Sequence, residues 1–180
     1  KAIKRDLDTA SKIQHAILPD ANNPFPQIKE FGICAEMIAA KDVGGDFYDF
    51  FLIDKDRLGF VMADVSGKGM PAALFMAVFR SLLQVVTQEA YVGAPDLSDA
   101  LQMPRTLQVL SDYNARTHGS ANMFATIFFA VLDQGQGRLT YLNAGHDAPY
   151  LLRTDGRRER LPPTGPAMGL LEGLVFGVEE

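Results

Sequence analysis

Residues 42–70 read DVGGDFYDFFLIDKDRLGFVMADVSGKGM, and the polar tripeptide Asp54-Lys55-Asp56 in their middle decides how the chain folds. Apolar runs at residues 47–53 and 58–64 flank it, which is the signature of a β-hairpin. With a three-residue loop Ile53 opposes Arg57, Leu52 faces Leu58, Phe50 faces Phe60 and Tyr48 faces Met62. One face of the hairpin is then wholly apolar, as a buried sheet surface requires. The same register sets Asp46 opposite Asp64 at the open end, with Cα atoms about 4.5–5.5 Å apart. A four-residue loop turns the two acids to opposite faces.

Two carboxylates that close repel each other at neutral pH unless one is protonated or a cation lies between them. Oxygen donors of this kind suit Mg²⁺ or Mn²⁺. Gly44-Gly45 lets the backbone approach closely before Asp46, and Ser66-Gly67-Lys68-Gly69 exposes backbone groups after Asp64. On spacing alone, a metal site and a pair of surface turn acids both stay open.

Working outward, residues 1–17 read as an amphipathic helix, with Ile3, Leu7, Ala10, Ile13 and Ile17 at helical spacing and Pro19 as its stop. It either packs on its own domain or serves as a coupling helix. Residues 31–39 have strand character. Pro71 opens a helix reaching to about residue 89, apolar nearly all round and so expected to be buried. A further helical region spans about 95–118, where Pro104 is expected to kink or split it. Residues 123–132, 138–144 and 148–153 read as successive strands. Strands, helices, then strands again point to an α+β domain on antiparallel sheets.

The 180 residues fit one domain, with residues 1–20 as the N-terminal helix and 21–180 as the globular part. A net charge of -5 without a basic block argues against nucleic acid as a partner. A single cysteine, Cys34, permits neither an internal disulfide nor a thiolate zinc site, and fits a reducing cytoplasm. The apolar stretches 72–79 and 123–132 are too short for a membrane span of about 18–20 residues.

The motifs Asp42-Val43-Gly44-Gly45-Asp46-Phe47-Tyr48-Asp49 and Ala63-Asp64-Val65-Ser66-Gly67-Lys68-Gly69-Met70-Pro71 resemble the metal-dependent protein phosphatase family, in its bacterial SpoIIE/RsbU-type branch. Ile13-Gln14, Leu18-Pro19, Met123-Phe124-Ala125-Thr126 and Leu142-Asn143-Ala144-Gly145-His146 extend the resemblance in the family's order along the whole chain. The resemblance implies two antiparallel β-sheets sandwiched between α-helices, and a site for two ions, Mn²⁺ or Mg²⁺. It further implies that water activated by those ions would attack phosphorus in a phosphoserine or phosphothreonine. Asp46 and Asp64 match the family's first two metal-binding aspartates, and the carbonyl of Val65 matches a backbone ligand; no side-chain nucleophile is implied.

The family continues into a Thr-Asp-Gly strand and a further acid, so the fold is expected to be incomplete at the C-terminus and the chain weak or inactive alone. Thr154-Asp155-Gly156 imitates that motif but reads as a turn. Asp49 falls on the opposite face from Asp46 and reads as structural. Lys68 reads as a solvated loop lysine and His146 as a turn-fixing residue, with phosphate attraction and proton donation as their functional alternatives. The partner implied is a phosphorylated regulatory protein such as an anti-sigma-factor antagonist, and the first helix offers a route to a homodimer. A different class of function is a non-catalytic phosphoprotein-binding or signal-relay module. Gly44-Gly45-Asp46-Phe47 also brings a diguanylate cyclase to mind, but that family places a Glu between the Asp and the Phe.

Overall fold

In a computed structural model that describes residues 2–39 and 42–180, the hairpin forms in the expected register. Strands β1 (Asp46–Leu52) and β2 (Arg57–Val65) pair antiparallel, with Leu52 against Leu58, Phe50 against Phe60, Tyr48 against Met62 and Asp46 against Asp64. The turn holds because Asp54 is satisfied locally. Its Oδ1 accepts the N–H groups of Asp56 and Arg57 at 2.9 and 2.8 Å, and its Oδ2 pairs with Arg57 Nη2 at 2.6 Å. Ile53 N–H then donates to Arg57 O at 2.9 Å, closing the three-residue loop.

β3 (Ala125–Asp133) and β4 (Arg138–Ala144) extend the hairpin into a four-stranded antiparallel sheet ordered β1-β2-β3-β4. A short pair, β5 (Tyr150–Leu152) and β6 (Arg158–Arg160), makes a second, two-stranded antiparallel sheet. Thr154-Asp155-Gly156 is the turn between them, as expected, with Gly156 at φ 86°. The α+β class with antiparallel sheets therefore stands.

Between β2 and β3 the chain runs through α2 (Met70–Gly93) and α3 (Asp99–His118), which pack on each other and on the large sheet. The register puts Asp49, Val61, Phe129 and Leu142 in one row on the helix-covered face. Asp49 marks that face, because its buried carboxylate pairs with Arg80 of α2 at 2.9 Å. α2 is long and apolar enough, by length and composition, to cross a membrane. Here it is the core helix of the sheet, seating Ala72, Met76, Phe79 and Leu83. Its outer side departs from the expectation of full burial, since Leu74, Val85 and Val92 stay exposed. The sides of α2 that find partners are those facing β1, β2 and α3.

Two further expectations are corrected. α3 is one continuous helix across Pro104, which overturns the split into two shorter helices. Proline there removes the N–H that would reach Ala100 O, and packing of Met103 and Leu107, both fully buried, outweighs that loss. Residues 31–39 form no strand. They alternate correctly, Phe31, Ile33, Ala35 and Met37 packing on the core, yet the segment makes a single bridge, Cys34 with Asn22. α1 (Ala2–Ile17) ends before Pro19 as expected and lies mostly exposed.

The C-terminal segment is stitched to the sheet and to α3. Asn143 O accepts Thr164 and Gly165 N–H at 2.8 and 3.1 Å, its Nδ2 donates to Leu161 O at 3.1 Å, and Gly169 N–H donates to Ser111 Oγ at 2.9 Å. Met168 and Phe176 complete the core.

Candidate active site

Cross-strand register lines up one row of polar side chains over three strands: Asp46 on β1, Asp64 on β2 and Thr126 on β3. His146, in the turn after β4, extends the row, with its Nδ1 2.8 Å from Thr126 Oγ1. The residue is held there because the backbone N–H of His146 donates to Asn143 Oδ1 at 2.8 Å and Gly145 takes φ 71°. All four residues lie at the end of the sheet remote from the Asp54-Lys55-Asp56 loop.

Asp46 and Asp64 are exposed and line a cavity of about 270 Å³ together with Met37, Val43, Gly45 and Lys68. Asp64 shows the cost of their proximity. Partial burial, hydrogen bonding with Asp46 and the Asp46 charge push its carboxyl up to about 6. His146 is shifted down by burial, against the attraction of Asp147 and Asp46.

Two loops set these positions. Before β1, Gly45 packs so tightly on β2 that a Cβ would sit 2.5 Å from the Val65 carbonyl oxygen and 3.1 Å from Ala72. Its carbonyl also accepts Val65 N–H at 3.3 Å. After β2, Ser66 is tied to the start of β3: its N–H donates to Phe124 O at 2.8 Å, and Phe124 N–H donates to Ser66 Oγ at 3.0 Å. Gly67 and Gly69, at φ 90° and 69°, then turn the chain into α2, leaving Lys68 exposed at the cavity edge.

Sequence reading thus placed Asp46, Asp64, Val65 and the loop with Lys68 together and Asp49 on the opposite face, while it read His146 as a turn-fixing residue. It missed the Thr126–His146 contact, which depends on the β2–β3 pairing between segments far apart in sequence. It also missed Gln14. That side chain is buried, and its amide donates to Gly44 O at 2.6 Å and accepts Gly44 N–H at 3.1 Å. The available signal was a glutamine next to the apolar stripe of the first helix.

Residues 54–180 match the family model for Stage II sporulation protein E (SpoIIE). The chain belongs to the SpoIIE family. It is 36% identical over 190 residues to Protein IcfG of Synechocystis sp., covering 97% of this chain and 30% of that protein. It is 28% identical over 175 residues to phosphoserine phosphatase RsbU of Bacillus subtilis, covering 97% and 48%. The chain thus spans about a third to a half of the length of these two relatives. Among solved structures, the SiaA-PP2C domain of Pseudomonas aeruginosa superposes with a TM-score of 0.72 at 22% identity, over 99% of this chain and 66% of that one. At that identity the likeness establishes a shared PP2C fold.

Proposed function

We propose that this SpoIIE-family domain dephosphorylates phosphoserine or phosphothreonine in a partner protein, using divalent cations held by Asp46, Asp64 and the Val65 carbonyl. The observation that carries this reading is the in-register pair Asp46–Asp64, with Asp64 pushed up to about 6 at an exposed strand end. A structural acid pair in a sheet is unfavourable, and a divalent cation is what relieves it. Hard oxygen donors without a thiolate ligand favour Mn²⁺ or Mg²⁺. The name of RsbU, a phosphoserine phosphatase, supports the reaction class.

Such ions, when bound, supply an activated water and neutralise charge on phosphoryl oxygens. The chain's own residues orient and hold. Asp46 and Asp64 would hold the ions from two strands whose spacing the sheet sets. Lys68, exposed at the cavity edge, offers a positive charge to the incoming phosphate. Thr126 fixes the imidazole of His146 beside the acids through Nδ1. Two carboxylates and one carbonyl make about half of a six-oxygen shell. Among the described residues no group of three or more acidic, histidine or cysteine side chains could hold a metal. Weak cation binding by this chain is therefore part of the reading.

The same small donor set favours one competitor, a phosphoprotein-binding or signal-relay module without turnover. The partner in the leading reading is a small phosphorylated regulator such as an anti-sigma-factor antagonist, met in the cytoplasm, and α1 is a candidate dimer contact. The deciding experiment is Mn²⁺-dependent phosphate release from a phosphoserine protein, by this chain and by a longer polypeptide carrying it. Asp46→Asn and Asp64→Asn are run in parallel. Turnover abolished by both substitutions supports catalysis; turnover that survives both overturns the site. Phosphoprotein binding with no turnover in either polypeptide favours the relay module.

A further inference from the structure

α1 is attached to the domain by a polar contact more than by apolar packing. Ile3 and Ile13 of its apolar stripe are 76% and 57% exposed. Among its described side chains only Gln14 is buried, at 4% exposed. The Gln14 amide uses both of its polar ends on one residue, donating to the Gly44 carbonyl at 2.6 Å and accepting the Gly44 N–H at 3.1 Å. It thus satisfies Gly44 the way a neighbouring strand would, at a point where no strand lies.

The place it grips is two residues from Asp46. Gly44 and Gly45 have no side chains to anchor them, and glycine backbone is the freest in the chain. Gly45 is wedged against Val65, the residue after Asp64, so closely that no Cβ fits. A short, tightly packed path therefore runs from Gln14 through Gly44 and Gly45 to both halves of the acidic pair. Burying an amide is unfavourable unless both ends are bonded, so Gln14 is either fully engaged on Gly44 or out of place. That makes the Gln14 amide a polar tie between α1 and the loop.

We infer that Gln14 is a positioning residue for the acidic pair: its amide fixes residues 44–46 against β2, and a displacement of α1 that breaks this bond releases Asp46. The inference rests on the cation-binding reading of Asp46 and Asp64, and adds to it a residue from a separate helix that sets their geometry. Gln14 itself touches neither phosphate nor ion.

Gln14→Met keeps the length and burial of the side chain and removes both hydrogen bonds. Gln14→Glu keeps only the acceptor for Gly44 N–H. Leu18→Ala is the comparison, since Leu18 is buried in the core just past the end of the same helix. Amide hydrogen exchange is followed by NMR in the metal-free chain, and Mn²⁺ affinity by calorimetry. In Gln14→Met, exchange at residues 44–47 is expected to rise by about tenfold or more while amides of β3 and β4 stay within about twofold. Mn²⁺ binding is expected to weaken by roughly tenfold, the usual effect of losing a residue that supports a metal ligand. Gln14→Glu falls between Gln14→Met and the parent.

A Gln14→Met chain whose residues 44–47 exchange as in the parent overturns the inference. So does a uniform rise in exchange throughout the sheet, the pattern expected of Leu18→Ala, because it means ordinary destabilisation. If Asp46→Asn abolishes Mn²⁺ binding while Gln14→Met leaves it unchanged, the coupling fails and the cation site stands. If Asp46→Asn leaves Mn²⁺ binding unchanged, the cation reading fails and the coupling to it falls as well.

Discussion

Asp64 carries a charge its surroundings resist. Its folded carboxyl, at about 6, lies above the ordinary carboxylate value near 3.9. A proton on Asp64 thus stabilises the metal-free fold at low pH, and this contribution is lost as pH rises from about 4 through about 6. Asp64→Asn removes the repulsion, so its melting temperature at pH 7.5 should exceed that of the parent by about 2 °C, with no gain at pH 4. Scanning calorimetry at the two pH values reads the difference; equal shifts at both would remove the carboxyl pair as the cause. A cation must displace the same proton, so Mn²⁺ affinity should fall by roughly tenfold per pH unit below about 6 and level off above it. The two acids were legible in the sequence because the loop length and alternating pattern leave one register that buries the aromatic face. The contact of His146 with Thr126 was not, because it joins strands that only the finished sheet brings together.

At the scale of elements, the bond between α2 and the sheet is ionic as well as apolar. Asp49 is 2% exposed, and Arg80 Nη2 donates to its Oδ1 at 3.0 Å while Nε lies 2.9 Å from Oδ2. Burial pushes the Asp49 carboxyl up, and Arg80 and the Phe50 N–H pull it back. Asp49→Ala leaves a guanidinium without its partner beneath the helix and should cost about 3 kcal/mol in urea unfolding. Asp49→Ala with Arg80→Met should recover much of that. A double variant as unstable as the single one would contradict the pairing. The existence of α2 was readable from its composition, but its burial was not: apolar residues on all sides cannot say which side finds a neighbour. Residues 31–39 teach the same lesson for strands. Their inward alternation is real, yet hydrogen-bonding partners are a property of the neighbours. Pro104 shows the converse, with packing of Met103 and Leu107 overriding a strong local signal.

Over the whole molecule, the α+β class and antiparallel sheets followed from segment order, while the stitching of the last twenty or so residues through Asn143 had no local sequence mark. The distance between the hairpin loop and the acidic pair has its own meaning. Asp54 and Arg57 close the loop at one end of the hairpin, and the two carboxylates meet at the other. The apolar core and the loop bonds hold the register away from the acidic pair, so the fold is expected to stand without mineral supply. Excess chelator should accordingly leave the far-ultraviolet circular dichroism of the purified chain unchanged, in contrast to small zinc domains that unravel without their ion. A loss of signal on chelation would mean that ions act as scaffolding during biogenesis; a steady signal makes them cargo taken aboard afterwards, at whatever concentration the cell then offers.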